Sequence, residues 1–195
     1  MNVLTRGALE RAGLLAACER RMRGEPLTQG ELARFAAADL LVLGAAADCV
    51  RAADAGSDVL LSTRPRASRV IGPDEPRRGT ELCRHVALLR LAGSAGIAVD
   101  VAAVGLPVAL VLLGFGATEL AGALGRGSRS EAEPAESPGG SGGTAPHRLP
   151  IADAPEAERR KELAGRVTRA KRVPVFADGA ETQTPVNPQL LEGSP

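Results

Sequence analysis

A run of glycine, serine, proline and glutamate limits what this chain can fold into. The run reads GRGSRSEAEPAESPGGSGGTAP and spans Gly125 to Pro146. These residue types bury too little apolar area to offset the entropy lost on ordering, so the run predicts a disordered linker. The predicted organisation is a main folded part at 1–124, a disordered linker at 125–150, a carboxy-terminal helix and short strand at 151–178, and a disordered tail at 179–195.

Helical periodicity dominates the main part. We predict a solvent-facing helix over Leu4–Arg23, because its apolar residues are spaced among Arg and Glu at helical intervals. Thr28 and Glu31 have the three-residue offset of a capping box, which starts a second helix. Further helices are predicted on the stripe Leu40, Leu43, Ala47 and Val50 up to Gly56, from Thr80 onward with Leu82, Val86 and Leu89, and after Pro155 with Leu163 and Val167.

Strands are predicted to be few and short. Ser57–Thr63 is apolar and bounded by turn residues, Ile97–Val101 alternates in strand fashion, and VPVF near Phe176 is extended. Between the first two, RPRASRVIGPDEPRRG contains five arginines and three prolines. We interpret it as a loop joining two ordered parts. The predicted fold class is therefore α/β and mainly helical.

The segment Val101–Ala117 contains no charged residue and leaves two interpretations open. One is a strand, tight turn and buried helix, with Pro107 in the first helical turn. The other is a membrane anchor. Asp100 and Glu119 bracket the segment, and no basic cluster or aromatic belt flanks it, so burial is favoured and membrane association is the alternative.

The charge balance argues against nucleic acid as a partner. The chain has 24 basic and 23 acidic side chains, a formal net charge of +1 and 2% aromatic residues. A neutral surface attracts no polyanion, and without interleaved aromatics there is no platform for stacking bases. The many arginines are scattered, which is typical of compositional bias rather than of a phosphate site.

No set of residues matches a catalytic, cofactor-binding or metal site. Cys18, Cys49 and Cys83 are separated by 31 and 34 residues in sequence, too far apart for a metal knuckle or a dense disulfide framework. His85 is interpreted as an ordinary helix residue, and His147 falls in the predicted linker. The sequence places no nucleophile beside a base, so we predict no catalytic, cofactor-binding or metal-ligating residue. Reduced thiols and an amino terminus unlike a secretion signal predict a cytoplasmic protein.

Glycines and paired acids add no site. Gly114, Gly116 and Gly122 in GFGATELAG are interpreted as turn residues rather than as a ligand loop. The glycine cluster of the predicted linker neither follows a strand nor opens a helix, so it does not match a phosphate loop. Asp74 and Glu75 are interpreted as solvated charges on a loop.

The order of segments resembles one enzyme family. PLTQGELARFAAADLLVLGAAADCVRAADAGSDVLLST is similar to the amino-terminal region of radical-SAM enzymes of the futalosine route to menaquinone and of deazaflavin synthesis, where a "DLL-x-LG-x-x-AD-x-VR" phrase precedes the first barrel strand. RRGTELCRHVALLRLAGSAGIAVDVAAVGLPVALVLLGFGATELAGAL looks like their closing barrel segment. RKELAGRVTRAKRVPVFADG resembles their carboxy-terminal phrase, and Arg172–Val175 is closest to aminofutalosine synthase.

The resemblance implies a remnant of a radical-SAM partial barrel. Such enzymes bind a four-iron, four-sulfur cluster and S-adenosylmethionine through a Cys-x3-Cys-x2-Cys loop after the first strand. Here the corresponding residues are RPRASRVIGPDEP, without a cysteine. Cluster iron requires thiolate ligands, so no cofactor is expected. The central barrel strands also have no counterpart.

We therefore expect a truncated, non-catalytic relative that acts by binding or is a decayed copy. Uncovered edges of a broken barrel invite pairing with a protein partner or a second copy. The alternatives are a small membrane-associated protein anchored by Val101–Ala117 and an active radical-SAM enzyme with unusual ligands.

Overall fold

The computed structural model describes residues 1–75, 77–122 and 156–177. The predicted linker and tail lie outside the described residues. The helices are α1 (Val3–Arg11), α2 (Leu15–Met22), α3 (Gln29–Ala37), α4 (Leu40–Ala55), α5 (Gly79–Leu91), α6 (Val101–Val104), α7 (Leu106–Leu113) and α8 (Glu156–Arg169). The strands are β1 (Asp58–Ser62), β2 (Arg69–Ile71), β3 (Ile97–Asp100), β4 (Glu119–Ala121) and β5 (Val173–Phe176).

The strands form a single parallel sheet in the order β2-β3-β4-β1-β5. The α/β class is confirmed, but the sheet is larger than expected. β2 lies inside the arginine- and proline-rich stretch that we interpreted as a loop, and β4 lies in the glycine-rich stretch interpreted as turns. Each has three residues, too few for alternation to be recognised.

Most predicted helices are present where the sequence patterns indicate them. Thr28 and Glu31 form the complete capping box of α3, and Pro107 lies in the first turn of α7. α4 ends at Ala55 with Gly56 as its C-cap, and Leu43, Ala47 and Val50 of the predicted stripe are buried, whereas Leu40 is partly buried. In α8, Arg166 donates to Glu162 at 2.7 Å, as their spacing predicts.

The prediction of one solvent-facing helix over Leu4–Arg23 is wrong. Gly13 adopts a φ of 66° and divides the segment into α1 and α2. The two helices turn back on each other, and the amide of Leu14 donates to the carbonyl of Leu9 at 2.8 Å. Leu9, Leu14 and Cys18 are then buried in a hydrophobic cluster with α4.

The apolar segment 101–117 is divided between α6, α7 and a turn. Gly105, with a φ of 82°, separates the two helices, and Ala109, Leu112 and Leu113 of α7 are buried in the core against the sheet. Within the described ranges, no helix has the length and hydropathy needed to cross a membrane.

Helices cover one face of the sheet, which we call the helix face. Its inward residues Val59, Leu61, Ile71, Val99 and Leu120 share one hydrophobic cluster with α5, α7 and α8. Side chains alternate along a strand, so the next residues point to the opposite side. This opposite side, the loop face, carries Leu60, Ser62, Val70, Ala98, Glu119 and Val175.

Two buried arginines tie the helices to the amino-terminal ends of the strands, and a third joins helices to one another. Arg90 is fully buried and donates to the carbonyls of Gly116 before β4 and of Ala95 before β3. Arg51 donates to the carbonyl of Gly56 before β1, at 2.6 Å. Arg21 donates to the carbonyl of Leu91 and to Asp54. By sequence alone, the many arginines are attributed to compositional bias. These three instead have a structural role, because each donates hydrogen bonds to a backbone carbonyl.

Candidate functional site: the loop face of the sheet

The segment after β1 runs across the loop face instead of entering a helix. Thr63–Ser68 leaves the carboxyl end of β1, passes β4 and β3 and reaches β2 at the far edge. Its path is visible in the contact of Ala67 with the backbone of Gly96, where an added Cβ would lie 3.1 Å from the Ala67 Cβ. We call Thr63–Ser68 the crossing segment.

One carboxylate holds the crossing segment down. Glu119 of β4 points to the loop face and is 2% exposed. Its oxygens accept from the amide of Arg66 at 2.9 Å and 3.1 Å, from the amide of Ala67 at 2.8 Å and from the Ser62 hydroxyl at 2.5 Å. Hydrogen bonds from several donors are what a buried carboxylate requires. Glu119 therefore organises a segment that has no hydrophobic anchor.

A shallow cavity of about 370 Å³ lies beside this carboxylate, at the amino-terminal ends of the strands. Asp58, Leu60, Thr118, Glu119 and Val175 contribute to its wall. The Thr118 hydroxyl is occupied, since it accepts from the amide of Ile97 at 3.1 Å. The Glu119 oxygens are occupied by the crossing segment. Among the lining residues that the structure describes, Thr118 and Glu119 thus form neither an activated nucleophile nor an acid paired with a base.

A second groove of about 390 Å³ runs between α3 and α5 and is almost wholly apolar. His85 lies at this groove, 3.4 Å from the Glu75 carboxylate, yet its Nε2 has no hydrogen-bond partner among the described residues. Burial lowers the pKa of His85, and the nearby charge of Arg77 lowers it further, while Glu75 opposes both. Burial therefore favours the neutral ring at this apolar groove.

The cysteines do not gather at one point. Cys18 belongs to the cluster around α1, α2 and α4, whereas Cys83 belongs to the cluster under the sheet. Burial raises the pKa of Cys18 to about 12 and also raises those of Cys49 and Cys83. Thiols buried in apolar surroundings are less reactive than exposed ones. Within ranges 1–75, 77–122 and 156–177, no group of His, Cys, Asp and Glu has an arrangement suited to a metal ion.

A four-iron, four-sulfur cluster does not fit the residues after β1. In the enzymes that the sequence resembles, three cysteines follow the first strand. Here the crossing segment follows β1, and two of its amides donate to Glu119. Iron in such a cluster needs thiolates, and this segment supplies amides and guanidinium groups instead.

The glycines of GFGATELAG form turns. Gly116 has a φ of 104°, and a Cβ there would lie 2.8 Å from the Cβ of Arg90. Gly122 follows β4 with a φ of 73°, and its amide donates to the Ser62 carbonyl. Asp74 and Glu75 lie on the loop after β2, where Glu75 pairs with Arg77 at 2.8 Å. His147 lies outside the described residues.

Sequence reasoning missed Glu119 as a site residue. It was used only as one end of the charge-free segment. A single carboxylate inside an otherwise apolar stretch, ATELA, was the available signal, because a charge in a buried strand requires a partner. Apart from the Ser62 hydroxyl, its partners are the backbone amides of Arg66 and Ala67, and a motif of side chains does not indicate such partners.

Comparison with protein-family models, with curated proteins and with solved structures finds no match.

Proposed function

We propose that this chain is a non-catalytic relative of the radical-SAM enzymes of menaquinone biosynthesis and that it acts by binding a protein partner at its sheet. The observation that carries the proposal is the crossing segment. In sequence it corresponds to the segment in which the enzymes that the chain resembles have their cluster loop, but it contains no cysteine, and two of its amides donate to Glu119 instead.

A binding role is supported by the form of the sheet. A parallel sheet in an α/β protein is normally covered on both faces. Ser62, Ala98 and Glu119 of the loop face are buried, whereas Val70 and Val173, on the two edge strands β2 and β5, are 44% and 43% exposed. Strand edges without a partner strand and exposed apolar side chains are typical of surfaces that associate with another chain.

Anaerobic reconstitution with iron and sulfide, followed by addition of S-adenosylmethionine, tests the proposal. We expect the wild-type protein to retain no more iron than variants with Cys18→Ala, Cys49→Ala or Cys83→Ala, taken one at a time. We also expect no cleavage of S-adenosylmethionine. A brown product that cleaves it, and that loses this activity in a cysteine variant, would overturn the proposal. A protein that is only a decayed copy would take up no iron and would also fail the binding tests below.

A further inference from the structure

The helix and strand at the carboxy-terminal end of the described residues are held to each other by their own contacts. They are α8 and β5, residues 156–177, which we call the terminal unit. In the turn between them, the amide of Arg172 donates to the carbonyl of Val167 at 3.2 Å. The Arg160 guanidinium lies 5.3 Å from the centre of the Phe176 ring, so side chains also join the helix to the strand. The terminal unit can therefore keep its arrangement when it moves as a whole.

The terminal unit is attached to the sheet by strand pairing at an edge. β5 lies at one end of the sheet and pairs in parallel with β1. The amide of Val173 donates to the carbonyl of Ser57, and the amide of Ala177 donates to the carbonyl of Leu61, both at 3.0 Å. Main-chain pairing of this kind is how an added strand binds to the edge of a sheet.

Few side chains hold the terminal unit in place. Among residues 157–177, Leu163 and Val167 are buried, and both belong to the hydrophobic cluster on the helix face. Arg172 is 14% exposed and forms an ion pair with Asp48 of α4. Two apolar side chains and one pair of opposite charges thus determine what fits beside β1.

The connection to the rest of the chain is longer than this docking requires. Residues 123–155 join β4 to the terminal unit. Such a length of chain can span up to roughly 100 Å. β5 lies two strand positions from β4, which is a distance of about 10 Å. A long connection raises the entropic cost of docking within one chain and permits docking on another.

We propose that two copies of the chain exchange their terminal units, so that β5 of each copy adds to β1 of the other. Every contact described above is then made between copies instead of within one. No new surface is needed, because a second copy carries the same strand, the same two apolar side chains and the same arginine opposite Asp48. This inference rests on the proposed function and specifies β1 as the binding strand and a second copy as the partner.

Two charge reversals test the exchange in the full chain. Asp48→Arg places like charges against Arg172, and Arg172→Glu places like charges against Asp48, so neither variant alone forms the ion pair. In a mixture, each variant accepts the terminal unit of the other, and opposite charges meet at both sites. We expect at least about tenfold more dimer in the mixture than in either variant at the same total concentration, by size-exclusion chromatography with light scattering. A mixture as monomeric as the separate variants overturns the inference.

Two controls separate exchange from other effects of charge. The double variant Asp48→Arg/Arg172→Glu restores opposite charges within one chain, so its dimer content should match that of the wild type. Arg23→Glu mixed with Glu25→Arg reverses a pair whose side chains are 60% and 49% exposed and lie outside the terminal unit. This mixture should contain no additional dimer. Equal dimer formation in the control mixture and in the test mixture contradicts the inference.

A measurement on the wild type covers the case in which a variant fails to fold, since Asp48 also accepts from Arg51 at 2.9 Å. The lysines of the chain, Lys161 and Lys171, are exposed and lie in the terminal unit. Equal amounts of unlabelled and ¹⁵N-labelled protein are incubated at about 1 mM, where exchange competes with docking within one chain. A carbodiimide then couples the lysines to carboxylates of residues 1–122, and mass spectrometry identifies the linked peptides.

In the dimer fraction, we expect links between labelled and unlabelled chains at the same carboxylates that the lysines reach within the monomer. The absence of a dimer, or a dimer in which these links stay within one isotope, contradicts the exchange. The outcome is separable from the reconstitution experiment. A chain that takes up no iron and forms no mixed dimer refutes the exchange and leaves the absence of catalysis standing. A chain that cleaves S-adenosylmethionine and forms mixed dimers refutes the absence of catalysis and leaves the exchange standing.

Discussion

The helix face and the loop face of the same sheet are held by different means. On the helix face, side chains of three helices pack against the strands, and buried arginines bind carbonyls at the strand ends. On the loop face, one carboxylate binds the amides of a segment that contributes no side chain to either hydrophobic cluster. Packing resists local change, whereas a single hydrogen-bonded group is a point at which a face can open.

The largest effect is expected where the helix face meets the strand ends. Arg90→Met removes a fully buried guanidinium and leaves the carbonyls of Gly116 and Ala95 without a donor. We expect a loss of about 3–5 kcal/mol in the free energy of unfolding, measured by urea denaturation. Arg23→Gln is the control, because its side chain is 60% exposed, and it should change stability by less than about 0.5 kcal/mol. Comparable losses in the two variants would show that Arg90 is not structural.

The loop face should respond more weakly and locally. Glu119→Gln replaces one of the two acceptor oxygens with an NH₂ group, which cannot accept, so a single oxygen is left for the amides of Arg66 and Ala67. We expect a loss of about 1–3 kcal/mol in the free energy of unfolding, with unchanged helical circular dichroism. Glu10→Gln, on the exposed side of α1, is the matched control and should have no measurable effect. A global loss of helicity in Glu119→Gln would mean that the two faces are not separable.

Thiol reactivity distinguishes packed from open regions. Cys18 is fully buried with a pKa raised to about 12, whereas Cys49 is only partly buried. Because the thiolate is the reactive form, iodoacetamide at mildly alkaline pH should modify Cys49 well before Cys18 and the buried Cys83. Mass spectrometry of the peptides gives the order. Rapid labelling of Cys18 in the native protein would contradict the packing of α1 and α2 against α4.

The smallest effect concerns pH. Burial lowers the pKa of His85 below its ordinary value of 6.5, so the folded state favours the neutral ring and binds fewer protons than the unfolded state. The contribution of the neutral His85 ring to stability is complete above the pKa of the unfolded state. It is lost as the pH falls through the lower pKa of the folded state. We expect the midpoint of urea denaturation to decrease as the pH is lowered from about 7 to about 5. Glu31 and Glu75 titrate below this range, because their pKa values are lowered.

His85→Gln supplies the control for that decline, since it removes the titrating ring and should flatten the curve. An identical slope in both proteins would assign the pH dependence to other groups.

The helices were largely predictable, whereas the sheet and the site were not. Thr28, Glu31, Pro107 and Gly56 mark helix ends by local chemistry, which the sequence displays directly. β2 and β4 are three residues long, and their pairing depends on contacts distant in sequence. Glu119 and Arg90 act on backbone groups far along the chain, so no motif contains both partners. The sequence pattern also did not reveal the turn at Gly13, whose φ of 66° divides the segment predicted as one helix into α1 and α2.

The most direct test of the account is hydrogen exchange at the amides of Arg66 and Ala67, in wild type and in Glu119→Gln. If the Glu119 carboxylate fixes the crossing segment, both amides are protected in wild type and at least one of them exchanges much faster in the variant, while amides of α5 keep their protection. Fast exchange of both amides in wild type, or equal protection in the two proteins, would contradict it.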